Sequence, residues 1–290
     1  SSSSTIPEWD SSFPVDFGMF KKTNASQDWY ASARLIQDHV LYPNTSNDED
    51  GYGDAVFDSN LGWGKSAGGT YGSNYISYMW KRHAGFDLVT YTGTSQGPRS
   101  IPHGLGKIPE MIVVKRRNLE EDWTVYHSGM GSPAINYFMQ WNNTNARHDS
   151  SSNHYVWGGV APTSTHFSVG GSANPDRTNN SNSDYIAMLF ASCPGISAVG
   201  SYTGNATARS ITFGFQPRFI IMKRPNSVDD WYVMDTTRGW GSGDDSYLKL
   251  NHSQQAYSNA DFGTPTSTGW DIPNNFINYD GDDWIYYAHA

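Results

Sequence analysis

The chain has little cysteine, little charge and no long apolar run. One of its 290 residues is cysteine, Cys193, so an internal disulfide is excluded and stability has to come from core burial and strand pairing. Charged residues make up 16% of the chain, against roughly 25% in typical globular domains. The longest apolar runs, such as residues 185–191, are far shorter than the roughly 20 residues that cross a bilayer. We therefore expect no membrane insertion.

Basic residues are scarce as well. The chain has 19 Lys and Arg against 28 Asp and Glu, which gives a formal net charge of −9. Proteins that bind nucleic acid draw much of their affinity from clustered Lys and Arg, and no basic stripe is present here. We therefore expect no nucleic-acid partner.

Aromatic and turn-forming residues are plentiful. Phe, Trp and Tyr make up 14% of the chain, and 29 residues are glycine. With abundant Ser, Thr and Asn, this composition is typical of short strands joined by polar turns, so we predict an all-β fold. Only residues 31–40 come close to the apolar spacing of a helix. In the middle of the chain the pattern predicts seven strands: residues 86–91, 100–102, 111–116, 123–127, 137–141, 166–169 and 185–191.

One nine-residue pattern, Lys-x-x-Asn-x-x-x-Asp-Trp, occurs three times with unchanged spacing. We call it the repeat motif, and its copies are Lys21, Asn24, Asp28 and Trp29; Lys115, Asn118, Asp122 and Trp123; Lys223, Asn226, Asp230 and Trp231. The copies begin 94 and 108 residues apart (115 − 21 and 223 − 115). This interval is too long for a solenoid repeat and matches the size of a small β-sandwich.

Further landmarks recur in the same order. Tyr-Thr-Gly begins at Tyr91 and Tyr202, and Pro-Thr-Ser-Thr begins at Pro162 and Pro265. They predict three tandem units, residues 1–85, 86–194 and 195–290. The first unit lacks recognisable opening strands, and its residues 1–12 match nothing in the other two. We expect this gap to leave a sheet edge that needs a partner.

The motif order resembles an uncharacterised tandem domain of tailed bacteriophages, especially marine and cyanobacterial ones. The resemblance covers roughly residues 13–290 and rests on these strings: Tyr91-Thr92-Gly93, His103-Gly104-Leu105-Gly106, Met111 to Arg116, Asp122-Trp123 and Asp184 to Phe190. It implies jelly-roll or lectin-like β-sandwiches, a place on the surface of a virion, and no catalytic residues.

We assign the repeat motif to fold maintenance. An apolar run ends at its Lys and another begins at its Trp, so the residues between should connect a hairpin. We expect the Asn to bond backbone two residues on, the Asp to accept backbone N–H groups, and the Trp to anchor the returning strand in the core.

Other candidate sites have weaker support, and we predict no catalytic, cofactor or metal residues. The segment Gly64–Gly68 fits Gly-x-Ser-x-Gly but lacks the flanking strand and helix, so it indicates a glycine-rich loop. His103 and His127 are expected at turns or strand edges. We interpret six Asn-x-Ser/Thr tripeptides as accidents of composition. Four Trp residues are candidates for stacking on a glycan: Trp141, Trp157, Trp240 and Trp270.

The leading hypothesis is a non-enzymatic virion structural protein, a tail fibre, spike or capsid decoration acting in assembly or host attachment. Its expected partners are further copies of itself in a homo-oligomer and other virion proteins, with host-surface glycans as a further class. The alternative is a carbohydrate-binding module or adhesin. A glycan depolymerase is the third hypothesis, because the acidic clusters offer carboxylates for such chemistry.

Overall fold

The computed structural model describes residues 7–65, 71–152, 154, 156–170 and 177–290. Antiparallel strands dominate this part of the chain, which confirms the all-β prediction. Its only helical elements are single 3-10 turns: Arg34–Ile36, Ala134–Asn136 and Phe276–Asn278. None of the described helical segments is long and apolar enough to cross a membrane.

The first sheet is formed by residues 17–80. Its strands lie in the order β3 (Tyr30–Ala33), β2 (Phe17–Lys22) and β7 (Tyr75–Trp80). The pair β4 (His39–Val40) and β5 (Asp50–Gly51) continues from it through a bridge between Ala31 and Leu41. A further pair, β1 (Trp9–Asp10) and β6 (Gly62–Trp63), lies beside it.

The second sheet has six strands. Their order is β13 (His148–Asp149), β12 (Tyr137–Gln140), β11 (Thr124–His127), β10 (Met111–Arg116), β15 (Asp184–Phe190) and β8 (Phe86–Thr92). The pair β9 (Arg99–Pro102) and β14 (His166–Val169) packs on one face. Apart from β13, the strands of this sheet and of its packed pair number seven. They match the seven strands predicted from sequence to within a residue or two.

The third sheet repeats this order. Its strands are β16 (Ser197–Thr203), β24 (Asp283–His289), β18 (Phe219–Lys223), β19 (Tyr232–Asp235), β20 (Asp245–Lys249) and β21 (Tyr257–Ala260). A smaller sheet of β17 (Arg209–Thr212), β23 (Gly269–Ile272) and β22 (Thr264–Thr266) packs against it.

The three sheets share three corresponding strands. In each sheet, the strand before the repeat motif pairs on one side with the strand that follows the motif. On its other side it pairs with the last strand of that sheet along the chain, which we call the closing strand. These sets are β2 with β3 and β7, β10 with β11 and β15, and β18 with β19 and β24. The three motif copies therefore occupy equivalent topological positions. The division into three independent sandwich units stays a prediction.

Apolar side chains pack on both faces of each sheet. Along β10, Met111 and Val113 point into a cluster shared by all three sheets, which we call the central cluster, whereas Ile112 and Val114 point into a cluster of the second sheet alone. This alternation follows from the two-residue period of a strand. A strand buried on both faces needs apolar residues at successive positions, which explains the run Met111–Val114.

Residues 31–40, the helix candidate, fold as strand, 3-10 turn and strand instead. Ala31 and Ala33 pair with Met19 and Phe17 of β2 and point into the central cluster. The two-residue spacing places both alanines on one face of a strand, and the partner strand supplies the backbone hydrogen bonds that a helix would have made internally.

Candidate functional site

The three copies of the repeat motif lie around the central cluster. Each copy spans the connection between two antiparallel strands, β2 to β3, β10 to β11 or β18 to β19, as the hairpin prediction requires. The three motif Trp rings are fully buried members of the central cluster. The copies therefore meet where the sheets join.

Each motif Trp donates its indole N–H to a backbone carbonyl beside a different sheet. The donor–acceptor pairs are Trp29 to Lys249 at 3.0 Å, Trp123 to Tyr42 at 2.9 Å and Trp231 to Gln140 at 2.8 Å. The first sheet thus bonds to the third, the second to the first and the third to the second. These bonds form a closed cycle, in which every sheet is tied to both of the others.

Each motif Lys buries its ammonium group at the same junction. Lys223 Nζ donates to the carbonyl oxygen of Asp229 in its own hairpin at 2.6 Å and to that of Thr144, beside the second sheet, at 3.1 Å. Lys21 reaches Ser253 at 2.9 Å and Lys115 reaches Ser46 at 3.3 Å. All three side chains are fully buried.

Burial lowers the pKa of each of these three lysines to about 8, while nearby carboxylates act in the opposite direction. The group is still largely protonated at neutral pH. It then supplies N–H donors to backbone carbonyl oxygens of two different sheets' loops.

Three asparagines outside the motif complete the arrangement. Asn142 Oδ1 accepts the backbone N–H of Trp123 at 3.0 Å, and its Nδ2 donates to Asp122 Oδ1 at 2.7 Å. Asn44 and Asn251 make the same two bonds in the other copies. The motif Asp therefore accepts from an Asn amide, where we expected backbone N–H groups, and the Asn side chain caps the Trp backbone instead.

These asparagines begin three of the Asn-x-Ser/Thr tripeptides that we interpreted as accidental. The backbone carbonyl oxygen of the third residue in each tripeptide accepts a hydrogen bond from the motif Lys of a different sheet. The same oxygen also accepts a backbone N–H from the hairpin that carries this Lys. These second bonds are Glu121 to Ser46, Asp229 to Thr144 and Gln27 to Ser253. The distance from Trp to Asn varies, at 15, 19 and 20 residues, so a fixed-spacing search misses the relation.

The motif Asn acts differently from our expectation. Asn118 Oδ1 accepts the backbone N–H of Asp184 at 3.1 Å, and its Nδ2 donates to the carbonyl of Asn182 at 3.2 Å. Asn226 donates to the Asp283 carboxylate, and Asn24 is exposed. In two copies the residue ties the hairpin to the start of the closing strand, rather than bonding backbone two residues on.

Ion pairs supplement the cycle. The Arg117 guanidinium makes two bonds, of 2.8 and 3.0 Å, to the Glu49 carboxylate, which joins the second sheet to the first. Arg224 pairs with Asp229 at 2.6 Å and Asp282 at 3.0 Å within the third sheet. These side chains are 11–27% exposed, so solvent screens them less than it screens pairs on an open surface.

His127 lies inside the protein, although we expected a turn or strand-edge position. It ends β11, it is 1% exposed, and its Nε2 lies 3.1 Å from the carbonyl oxygen of Tyr286 in β24. Its Nδ1 accepts the backbone N–H of Gly129 at 3.0 Å. Burial lowers the pKa of His127 to about 4, because the charged ring would lose its hydration. The neutral ring thus joins the second and third sheets.

The four Trp residues considered for glycan stacking lie in the interior. Trp141, Trp157, Trp240 and Trp270 are 0–2% exposed. The indole of Trp157 donates to the Tyr137 carbonyl at 3.0 Å and that of Trp270 to the Phe262 carbonyl at 2.7 Å. None presents a ring face to a saccharide, because interior packing takes these large apolar surfaces.

The part of the chain that the structure describes brings no three His, Cys, Asp or Glu side chains together as a metal site. In the glycine-rich segment, Gly64 has a φ of +79°, as a turn requires. Ser66, its candidate nucleophile, lies outside the described residues.

Comparison with known families adds one match. The profile of a domain of unknown function, DUF7483, matches residues 62–290. The chain belongs to the DUF7483 family. The DUF7483 match includes the second and third copies of the repeat motif and the strands β6 and β7, whereas the first copy precedes it. No curated protein and no solved structure matches the chain.

Proposed function

We propose that this DUF7483 protein is a non-enzymatic structural component of a tailed-phage virion, a tail fibre, spike or capsid decoration. It would act in assembly or host-surface attachment and reside on the particle surface, with copies of itself and other virion proteins as partners. The resemblance of its motif order to phage structural proteins supports the location. The closed cycle of Trp-to-carbonyl bonds carries the structural assignment.

The polar groups of the Lys, Asp and Trp side chains in the repeat motif are already engaged. Lys223 and Trp231 have protein acceptors for their N–H groups, and the Asp230 carboxylate accepts from Asn251 and pairs with Lys249 at 2.7 Å. A ligand site needs polar groups or ring faces that are open to the ligand. The Lys, Asp and Trp residues of the motif offer neither, so their role as a lock between sheets favours a structural protein over a carbohydrate-binding module.

Mass spectrometry of purified virions tests the proposal. We expect the chain in particles that survive a density gradient and a high-salt wash, at a fixed ratio to the major capsid protein. Detection only in the soluble fraction of infected cells would overturn it. Immunogold labelling of intact particles would then place the protein on the fibre, spike or capsid.

Two assays on the purified protein address the other hypotheses. Retention on a glycan array that survives high salt would favour the adhesin. Release of reducing ends from a bacterial surface polysaccharide would favour the depolymerase. We expect neither activity from the repeat motif, because its Lys and Trp side chains are buried and each of its Asp carboxylates accepts from an Asn amide.

A further inference from the structure

Within the described residues, one strand lacks the neighbour that its two counterparts have. The closing strands β15 and β24 are paired on both sides, with β10 and β18 on one edge and with β8 and β16 on the other. The equivalent strand β7 pairs with β2, and no other described residue forms a ladder with it. Its second edge is the place that β8 and β16 fill in the other sheets.

The backbone groups on this edge can be identified. Asp16 donates its backbone N–H to the carbonyl of Trp80 at 2.8 Å, and Thr23 donates to that of Asn74 at 2.8 Å. The even-numbered residues of β7 therefore direct their backbone groups toward β2. The N–H and C=O groups of Ser77 and Met79 face the other way, and within the described chain they have no backbone partner. Such an edge is a template for another strand.

A cavity of about 330 Å³ runs along the same strand. The stretch Ile76–Trp80 forms one side of it, and Phe13 and Phe219 supply apolar surface on the others. Charged and imidazole side chains also line it: Asp10, Arg218, Asp235 and His289. The edge thus opens into a space that admits apolar side chains, with polar groups around it.

We propose that the open edge of β7 is a docking site for an extended polypeptide strand that pairs with it antiparallel, as β8 and β16 pair with β15 and β24. The occupant is a strand of a partner polypeptide with the residue pattern of β8 and β16. The free backbone edge of β7 faces away from β2, the strand that carries the motif residue Lys21, and the inference does not depend on the virion assignment.

The two filled positions define the pattern of the occupant. Leu88 pairs with Met188 and Val199 with Tyr287, and both point into the central cluster. The same place on β7 is Tyr78, because Tyr78 pairs with Met19 as Met188 pairs with Val113. The incoming strand therefore carries an aliphatic residue opposite Tyr78.

Three residues further along, both filled positions carry Tyr. Tyr91 pairs with Tyr185, and their rings stack at 5.1 Å, while Tyr202 pairs with Trp284. The equivalent place on β7 is Tyr75. We therefore expect an aromatic residue of the occupant opposite Tyr75, followed by Thr and Gly as in both known strands.

A labelled peptide of residues 86–94 tests the docking site, with the peptide of residues 197–205 as an independent second probe. We expect saturable binding by fluorescence anisotropy and slower hydrogen–deuterium exchange in the segment 75–81. Two N-methylated versions of the first peptide supply the matched control. In β8 the odd-numbered residues face the partner strand, since Gly93 donates to Ser183 and Ala191 donates to Gly85.

N-methylation at Asp87 and Val89 should therefore weaken binding by about tenfold or more, because it removes two ladder donors. N-methylation at Leu88 and Thr90 should leave binding within about twofold. Equal affinity of the two methylated peptides, or no binding by either probe, would overturn the proposal. Segment 75–81 of the protein without peptide should not be protected from hydrogen–deuterium exchange. If it is protected, and the protection is lost when the protein is diluted, a second copy fills the edge and the proposed occupant is overturned.

Discussion

The indole nitrogen of Trp123 lies 2.9 Å from the carbonyl oxygen of Tyr42, so the second sheet is bonded to the loop beside the first. The same bond recurs from Trp231 to Gln140 and from Trp29 to Lys249. The motif is local in the sequence, but in the structure its residues lie at the interfaces between sheets. Its conserved spacing within each copy keeps Lys, Asp and Trp at one junction.

Two substitutions of Trp123 should separate the contributions that apolar packing and the hydrogen bond to Tyr42 make to stability. We expect Trp123→Ala to lower the free energy of unfolding by about 3–5 kcal/mol, because it empties a fully buried aromatic site. Trp123→Phe keeps most of the apolar contact but leaves the Tyr42 carbonyl unpaired, which should lower the free energy of unfolding by about 1–3 kcal/mol. Chemical denaturation measures both. Leu119→Ala, at a side chain 51% exposed, is the control and should change stability by less than about 0.5 kcal/mol. An Ala variant as stable as the parent would refute the structural role of the motif.

Two asparagines of the first unit should behave oppositely although both begin Asn-x-Ser/Thr tripeptides. Asn44 bonds the backbone N–H of Trp29 and the Asp28 carboxylate, so we expect Asn44→Ala to cost about 2–3 kcal/mol. Asn24 is exposed, and Asn24→Ala should be nearly neutral. Melting curves of the two variants side by side make the comparison. Similar melting temperatures would contradict the assignment of Asn44.

The three motif lysines should resist chemical modification in the folded protein. Lys21, Lys115 and Lys223 are fully buried, whereas Lys81 is exposed and Lys22 is partly exposed. After reductive methylation under native conditions, peptide mass spectrometry should find the first three unmodified. Lys22, directly beside Lys21, is the internal control and should be methylated, as should Lys81. Denaturant should expose all five, and modification of Lys21 at the rate of Lys22 in native buffer would show that the junction is open.

His127 should make stability rise with pH between about pH 4 and 6.5. Its folded-state pKa is about 4, below the ordinary 6.5, so the unfolded chain binds more protons in this window. The stabilisation is complete above pH 6.5 and is lost as the pH falls toward 4, by roughly 3 kcal/mol. His127→Gln keeps a donor for the Tyr286 carbonyl and removes the titration. Denaturant unfolding at pH 4.5 and 7.0 should show a smaller difference for this variant than for the parent.

Asp245 should act in the opposite direction. Burial raises the pKa of its carboxyl to about 6, so the folded state binds more protons than the unfolded chain between pH 3.8 and 6. Its contribution is present below pH 3.8 and is lost as the pH rises through 6. Asp245→Asn should therefore steepen the rise of stability with pH that His127 causes. A flatter profile in this variant would show that one of the two signs is wrong.

The sequence predicted the parts of the fold that depend on local pattern. Runs of strand-forming residues bounded by turn residues located the strands Met111–Arg116 and His166–Val169 within a residue, because these signals act over short distances. The acceptors of the motif Trp side chains were not predictable in this way. Tyr42, Gln140 and Lys249 contribute only backbone carbonyls, so their residue types carry no common signal. Composition also does not distinguish a core indole from an exposed one, so Trp141 and Trp270 stood as glycan-stacking candidates until the structure placed them in the interior.

Synthesis from the N-terminus sets the order in which the bonds of the cycle can form. The bonds from Trp123 and Trp231 span 81 and 91 residues, whereas the bond from Trp29 to Lys249 spans 220. The longer loop adds less than about 1 kcal/mol of closure entropy, so the completed protein loses little stability by it. On the ribosome, however, Lys21 and Trp29 emerge early, and their acceptors Ser253 and Lys249 are made near the end of this stretch of chain. Until more than two hundred further residues have been made, the first hairpin therefore lacks one acceptor for Lys21 and the cover over the Trp29 indole. In that interval it is open to chaperones or to the third sheet of another copy.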